Sequence, residues 1–348
     1  MGCIPDESVH LIVTSPPYPM IEMWDLDFTA LDSSIQKDMA AGDGAAVFEK
    51  MHCLLDEVWR ECFRVVVPGG IVCINIGDAT RSIDGRFRLY SNHSRIVSLF
   101  EKIGFESLPL ILWRKQTNAP TKFMGSGMLP GGAYVTLEHE YILIFRKGGK
   151  RVFKTDEARK LRRRSALFWE ERNKWFSDVW DFKGTRQSLK GGKNDGLRGR
   201  SAAYPFELAY RLVHMYSLQG ETVMDPFLGT GTTILAAMAG GRNSAGFEIN
   251  AGLESHIQEI LTGGKPELNE YNLRRLQCHK DFIESRRSSG GKLGHENRFY
   301  NFPVVTSQET ELEIPMVENI IPVENGFRVI HCNHIDEDTP VAGVSFSS

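Results

Sequence analysis

At 348 residues, with 41% hydrophobic and 24% charged residues, the chain has the composition of a water-soluble globular protein forming one large domain, or one domain with a substantial insertion. No apolar run approaches the roughly 18 residues of a membrane span, no basic-then-apolar leader opens the chain, and Cys3, Cys53, Cys62, Cys73, Cys278 and Cys332 form no Cys-x-x-Cys pair. No membrane-spanning helix, disulfide framework or zinc site is therefore expected, and the cysteines read as buried free thiols in a reducing cytoplasm. The net charge of −3 hides an asymmetry: residues 146–200 hold 18 Lys/Arg against 7 Asp/Glu, a surplus of 11 that leaves −14 on the rest. Such a basic block predicts contact with a polyanion, because phosphate neutralisation dominates nucleic-acid affinity; a solvated charged surface is the plainer reading.

Taken in order, Val9-His10-Leu11-Ile12-Val13 reads as a buried strand that ends in the stiff loop Thr14-Ser15-Pro16-Pro17-Tyr18. Residues 47–63 place Val47, Met51, Leu54, Leu55, Val58, Trp59 and Cys62 at helical spacing. Pro68-Gly69-Gly70 breaks the chain, and Ile71–Ile76 follows as a fully buried strand ending at Gly77-Asp78. Asp78 is a site candidate by position alone. A helix over 93–103, a strand over 107–113 and a strand over 140–145 continue the alternation. Strands alternating with helices at this spacing predict a doubly wound, mostly parallel sheet.

The basic block interrupts the alternation with Arg162-Arg163-Arg164, an aromatic cluster (Phe168, Trp169, Trp175, Phe176, Trp180) and the glycine-rich stretch 184–199. It reads as an insertion projecting from the sheet and mobile around Gly191-Gly192, its aromatics mostly local core. Pro205 begins a helix to about Ser217, leading into the strand Thr222-Val223-Met224. A glycine turn, Asp225-Pro226-Phe227-Leu228-Gly229-Thr230-Gly231-Thr232-Thr233, opens the helix 234–240, and a further strand ends at Phe247-Glu248. Beyond residue 262 we expect a charged helix near 267–287, a Ser/Gly linker at 288–294, then loop and short strands. The expected division is a first sheet half (1–145), the basic insertion (146–200), a second sheet half (201–262) and a C-terminal extension (263–348).

Chemistry concentrates in the two loops at strand ends, where open α/β sheets bind ligands. Gly229 and Gly231 let backbone amides approach a ligand, and the following helix offers unpaired N–H groups. No lysine follows as in a phosphate-gripping loop, and the third glycine of a dinucleotide fingerprint is absent, so an NTPase and a dehydrogenase are disfavoured. Glu248, 17 residues past Gly231, sits where an acid accepts hydrogen bonds from both ribose hydroxyls. In the first loop Pro16 and Pro17 fix φ and remove two donors, leaving carbonyl acceptors beside the Ser15 hydroxyl and the Tyr18 ring. Two acceptors and an aromatic face suit an exocyclic amine on a flat base, which must leave a duplex to reach such a pocket.

Ser-Pro-Pro-Tyr after an apolar strand, with Asp-Pro-Phe-x-Gly-x-Gly-Thr-Thr downstream, resembles the amino-methylating DNA methyltransferases. The order of the parts, with the basic insertion between the loops, is similar to their β group. The resemblance covers residues 5–260 and takes in Trp113-Arg114-Lys115, His139-Glu140-Tyr141 and the Pro205-Phe206-Glu207 helix. It implies the class I methyltransferase fold, a Rossmann-like doubly wound, mostly parallel sheet, with S-adenosylmethionine across its carboxyl edge and no metal. It further implies that Ser15 and the Pro16 carbonyl hold the amine, with Pro17 stiffening the loop and Tyr18 stacking on the ring. Phe227, Gly229, Gly231 and Thr232 would wrap the methyl donor, Glu248 its ribose hydroxyls, and Asp225 either the turn or the donor's amino group. The basic insertion corresponds to a target-recognition region on double-stranded DNA, with Arg162, Arg163, Arg164, Lys174, Arg186 and Arg198 as contacts. Serine before Pro-Pro-Tyr goes with cytosine N4 in this family, whereas adenine N6 usually has Asp or Asn. A cytoplasmic, site-specific cytosine-N4 methyltransferase in a restriction-modification setting is thus expected, monomeric or homodimeric, with a cognate endonuclease as partner. The alternatives are adenine N6, an amino group in RNA, or an inactive nucleic-acid-binding module on the same scaffold.

The chain departs from the family at its start. Members usually carry a strand and a Gly-Asp turn before the catalytic strand, and here only eight residues precede Val9. Gly326–Asn333 reads like that missing strand and turn, so residues 327–332 are expected to return to the sheet and bring Asn333 to the donor's adenine. An unrelated C-terminal appendage is the other reading.

Overall fold

The structure, a computed structural model, describes residues 1–115, 124–184, 204–324 and 326–332. In chain order the main elements are β1 (Val9–Thr14), α1 (Gly44–Val65), β2 (Val66–Ile76), the hairpin β3 (Ala79–Ile83) and β4 (Arg86–Tyr90), α2 (Asn92–Ile103), β5 (Phe105–Arg114) and β6 (His139–Lys147). Then come α3 (Asp156–Arg164), α4 (Trp169–Trp175), β7 (Val179–Asp181), α5 (Phe206–Tyr216), β8 (Thr222–Asp225), α6 (Thr232–Ala239) and β9 (Asn243–Gly246). The chain continues through α7 (Glu254–Gly263), α8 (Lys265–Ser288) and the hairpin β10 (Met316–Val323) and β11 (Gly326–Cys332).

Seven strands form the central sheet in the order β9-β8-β1-β2-β6-β5-β7. Every neighbouring pair is parallel except those that β6 makes with β2 and β5, so the expected mostly parallel sheet is present. Pro109 has no N–H to give the ladder, and the β5–β6 register shifts between Leu108 and Ile111 around it. The chain winds from β8 outward to β9 and from β1 outward to β2 in the opposite direction. The order therefore reverses between β8 and β1, the place where such sheets open a ligand crevice.

Alternation along the strands sends side chains into two cores. Leu11, Val13, Cys73 and Val223 pack on one face with α5 and α6 residues, including Leu208, Leu212, Ala236 and Ala237. Val9, Ile12, Val72, Ile74 and Met224 pack on the other against Met51, Leu55, Trp59, Ile96 and Phe100 of α1 and α2. Asp43 starts α1 by accepting the Ala46 amide at 3.0 Å, and the predicted face of that helix is the buried one. Of the thiols, Cys62 and Cys73 are buried, whereas Cys3, Cys53 and Cys278 are exposed, contrary to a uniformly buried set.

Two expectations fail. The described part of the basic segment does not project as a separate insertion. Its strand β7 joins the sheet beside β5, and Trp175 and Trp180 lie in the main core. Phe168 is buried in a satellite core with Leu276, Phe302, Val304, Leu312 and Ile314, while Trp169 and Phe176 stay partly exposed. Nor does 327–332 return to the sheet: β11 pairs antiparallel with β10. A register shift after Val317 in β10, with alternation in β11, turns Val317, Ile320, Phe327 and Val329 onto the core beneath α6 and α8. His331 Nε2 also meets the Met238 carbonyl at the end of α6, 2.7 Å away. Asn333, with residues 185–203, lies outside the described residues. Among the described residues no helix is long and apolar enough to cross a membrane.

The basic segment is fastened to α8 by a buried ion pair. Arg275 Nη2 donates to Glu171 Oε2 at 2.7 Å, both groups are nearly inaccessible, and the Glu171 charge holds the guanidinium pKa above its usual range against the burial that lowers it. Glu171→Ala leaves Arg275 buried without its counter-ion, and urea unfolding should show a loss of about 3–5 kcal/mol. A loss under 1 kcal/mol would show that the segment is peripheral.

Candidate active site

The carboxyl ends of β1 and β8 are joined by a buried hydrogen bond, Thr14 Oγ1 to Asp225 Oδ1 at 2.5 Å. Asp225 also accepts the Phe227 amide at 3.0 Å and the Tyr204 hydroxyl at 3.1 Å. Burial pushes its pKa up, and these bonds oppose the rise by stabilising the charge. Thr233 Oγ1 ties back to the Val13 carbonyl at 3.0 Å. Asp225 thus accepts from the Phe227 amide within the turn and from Thr14 and Tyr204 outside it.

The second loop leaves β8 beside this lock. Gly229 and Gly231 have φ of 53° and 87°, in the left-handed region that costs a residue with Cβ about 1–2 kcal/mol. A Cβ placed on Gly229 would meet nothing nearer than 4.0 Å, so open space adjoins its backbone. Gly231 starts α6, and Thr232 beside it is buried. The Phe227 ring packs edge-on to Trp59 at 5.5 Å. Glu248 accepts the Gly229 amide at 2.9 Å on one oxygen and the Asn250 amide at 2.8 Å on the other. Each oxygen keeps a further lone pair, so the carboxylate is oriented yet still able to accept from a pair of ligand hydroxyls.

The first loop leaves β1 on the other side of the lock. Ser15 Oγ donates to the Tyr18 hydroxyl at 3.2 Å, and that hydroxyl donates to Glu140 Oε2 at 3.0 Å. Asn75, at the end of β2, donates from Nδ2 to the Tyr18 oxygen at 2.9 Å and to Glu140 Oε2 at 2.7 Å. Lys115 Nζ reaches Glu140 Oε1 at 2.9 Å. Burial and then the Glu140 charge push the Tyr18 pKa well above its ordinary value, so the phenol keeps its proton. Gly77 makes room for the ring: a Cβ there would lie 3.1 Å from Tyr18 Cε2. Asp78, the positional candidate, instead accepts the His93 amide at 3.1 Å and holds His93 Nδ1 at 2.8 Å, starting α2. His93 in turn stacks on Tyr141 at 4.0 Å.

The loop of Ser15, Pro16, Pro17 and Tyr18 thus leaves the carboxyl end of β1, and that of Phe227, Gly229, Gly231 and Thr232 leaves the carboxyl end of the adjacent β8, with Glu248 bonded to the Gly229 amide. The basic candidates are placed differently. Arg164 is a structural tie, its Nε donating to the buried Glu313 at 2.8 Å. Arg163 is exposed and lies 3.4 Å from Glu311, while Arg162 is exposed over the Phe153 ring at 4.9 Å. Lys174 is exposed on α4, and Arg186 and Arg198 fall outside the described residues. Sequence reasoning missed Thr14, Tyr204, Thr233 and Asn75, and left Glu140 and Lys115 without roles. Only their positions at strand ends could have marked Thr14, Asn75 and Glu140, and nothing local marks Tyr204.

Among known proteins, the family model described as "DNA methylase" (N6_N4_Mtase) matches residues 9–259. The chain is 52% identical over 316 residues to the type II methyltransferase M.MthZI of Methanothermobacter thermautotrophicus, covering 90% of this chain and 87% of that protein. It is 52% identical over 272 residues to the type II methyltransferase M.MjaI of Methanocaldococcus jannaschii, covering 75% of this chain and 88% of that one. Among solved structures, TTHA0409 of Thermus thermophilus, complexed with S-adenosyl-L-methionine, superposes with a TM-score of 0.55. That alignment has 33% identity and covers 74% of this chain and 87% of the other.

Proposed function

The chain belongs to the DNA methylase family, and on that premise we propose that it is a type II modification methyltransferase moving a methyl group from S-adenosylmethionine to the exocyclic N4 amine of a flipped-out cytosine in double-stranded DNA. One observation supports the reading most: the Thr14–Asp225 bond ties together the carboxyl ends of the adjacent parallel strands β1 and β8, from which the two loops leave. The type II relatives favour a restriction-modification setting with a cognate endonuclease. The serine at Ser15 favours cytosine N4 over adenine N6.

The residues fit the methyl donor. Open space adjoins the Gly229 backbone, where a ligand can approach, and Glu248 presents two oriented oxygens that still accept hydrogen bonds. Glu248 would take the ribose hydroxyls, with Phe227, Gly229, Gly231 and Thr232 along the rest of the molecule. Bound there, S-adenosylmethionine supplies an electrophilic methyl on a sulfonium. The protein's task is then to ready the amine. The cytosine amine is a poor nucleophile because its lone pair is conjugated with the ring. Two acceptors, Ser15 Oγ and the Pro16 carbonyl, draw its N–H bonds out of that plane and aim the lone pair, while the Tyr18 ring supports the flipped base. Arg162, Arg163 and Lys174 would neutralise phosphates along the duplex.

The two loops make separable predictions. Glu248→Ala should weaken binding of S-adenosylmethionine by about 1.5–3 kcal/mol in isothermal titration, through loss of hydrogen bonds to a charged acceptor. Ser15→Ala should abolish most turnover with donor affinity nearly unchanged, and equal loss of both would count against the division. Digesting DNA methylated by the protein and weighing the nucleosides should reveal N4-methylcytosine; N6-methyladenine would overturn the choice of base. Duplex affinity should fall with salt at a log–log slope of about −0.9 per phosphate contacted, and Arg162→Ala or Lys174→Ala should each flatten it by about one. A flat profile removes the basic segment from the DNA interface.

A further inference from the structure

The chain Ser15–Tyr18–Glu140–Lys115 has a direction, and that direction has a chemical consequence. Glu140, at the start of β6, is mostly buried, with its side chain 14% exposed. Its Oε1 takes the Lys115 ammonium from the end of β5, and its Oε2 takes Asn75 from the end of β2 and Tyr18 from the loop after β1. Two strand ends and a loop thus converge on one carboxylate. A carboxylate paired with an ammonium accepts and has nothing to donate. Tyr18 has one hydroxyl hydrogen and must give it to Glu140, so its oxygen is left to accept from Asn75 and Ser15. The Asn75 amide is fixed in the same sense, since turning it round would set its oxygen 2.7 Å from the Glu140 carboxylate. Ser15 likewise has one hydrogen and gives it to Tyr18. What remains on Ser15 Oγ is lone pairs alone.

From this polarity we infer that Glu140 is a positioning residue whose charge, fixed by Lys115 and relayed through Tyr18, makes Ser15 a hydrogen-bond acceptor toward the substrate amine. The inference rests on the reading that Ser15 holds that amine. A serine free to rotate would donate as readily as accept, and a donated hydrogen bond would tie up the nitrogen lone pair that attacks. No proton changes owner along the chain; it orders donors and acceptors before the methyl arrives. The high pKa of Tyr18 is consistent with this, because an ionised phenolate could not donate to Glu140.

Glu140→Gln tests it, because the amide has the same shape but offers hydrogens to Tyr18 and reverses the chain. The assay uses the full-length protein, unmodified genomic DNA and radiolabelled S-adenosylmethionine, with the methylated nucleoside identified for the wild type first. We expect kcat to fall about a hundredfold, as misorientation at a reacting group does, with the KM for the donor within twofold of the wild type. Lys115→Met, at a partly exposed position, should lower kcat in the same direction and more weakly. Tyr18→Phe severs the relay, so adding Glu140→Gln to it should change kcat by less than twofold. Full wild-type kcat in Glu140→Gln, or the same fold-loss with and without Tyr18→Phe, overturns the inference while leaving the proposed reaction standing. A wild type that places no methyl on a base amine overturns the proposed reaction, and the inference with it. Thermal melting of each variant separates lost turnover from lost folding, and Lys115→Met decides the matter if Glu140→Gln melts early.

Discussion

The buried Asp225 carboxylate is the fastening on which the rest of the crevice depends. An ion carried out of water is costly unless its lone pairs are taken up. Here Thr14, the Phe227 amide and Tyr204 take them up from three separate stretches of chain. Because each partner is needed to offset the same desolvation, the ends of β1 and β8 cannot drift apart without stranding a charge. The two ligand loops begin at those ends, one residue beyond Thr14 and one beyond Asp225, and so inherit a fixed separation. A hydrophobic contact of the same area would hold the strands together without setting this register, since dispersion has little direction.

From that fastening the two halves diverge in construction. The donor half is built from backbone: left-handed Gly229 and Gly231, the start of α6, and two amides that aim Glu248. The acceptor half is built from side chains at the ends of β2, β5 and β6 that converge beneath Tyr18. β6 runs opposite to its neighbours, so its first residues, His139 and Glu140, meet the carboxyl ends of β2 and β5. One antiparallel strand thereby brings a carboxylate to an edge that parallel strands reach only with their last residues.

The basic segment shows why a local charge count misleads. Arg164 and Glu313 are 149 residues apart, and Arg163 and Glu311 are 148 apart. Part of the positive surplus is therefore cancelled by acids that the chain brings in from its C-terminal third. His279, stacked on Phe168 at 3.9 Å and bonded to Glu170 at 2.7 Å, extends the same seam. The described part of the region shares the cores of the rest of the chain and belongs to the body of the fold.

Much of this was legible in the residues themselves. Periodicity placed α1, α2, β2, β5, β6, β8 and α6 within a few residues of where they lie, because core-facing positions repeat with the element's own period. Proline and glycine marked both loops, since the backbone at Pro16-Pro17 and at Gly229 and Gly231 tolerates few other residues. Three-dimensional packing decided the rest. The sequence could not say that Thr14 and Tyr204 meet Asp225, that Glu140 and Lys115 stand under Tyr18, or that Arg164 is spent on Glu313. Each is a contact between residues far apart in the chain, and side-chain pairing of that kind leaves no local period. The strand 327–332 is the sharpest case. Its β character was readable, but whether it joined the sheet or folded back on β10 depended on which apolar surface was left uncovered, and only the assembled helices α6 and α8 supplied it.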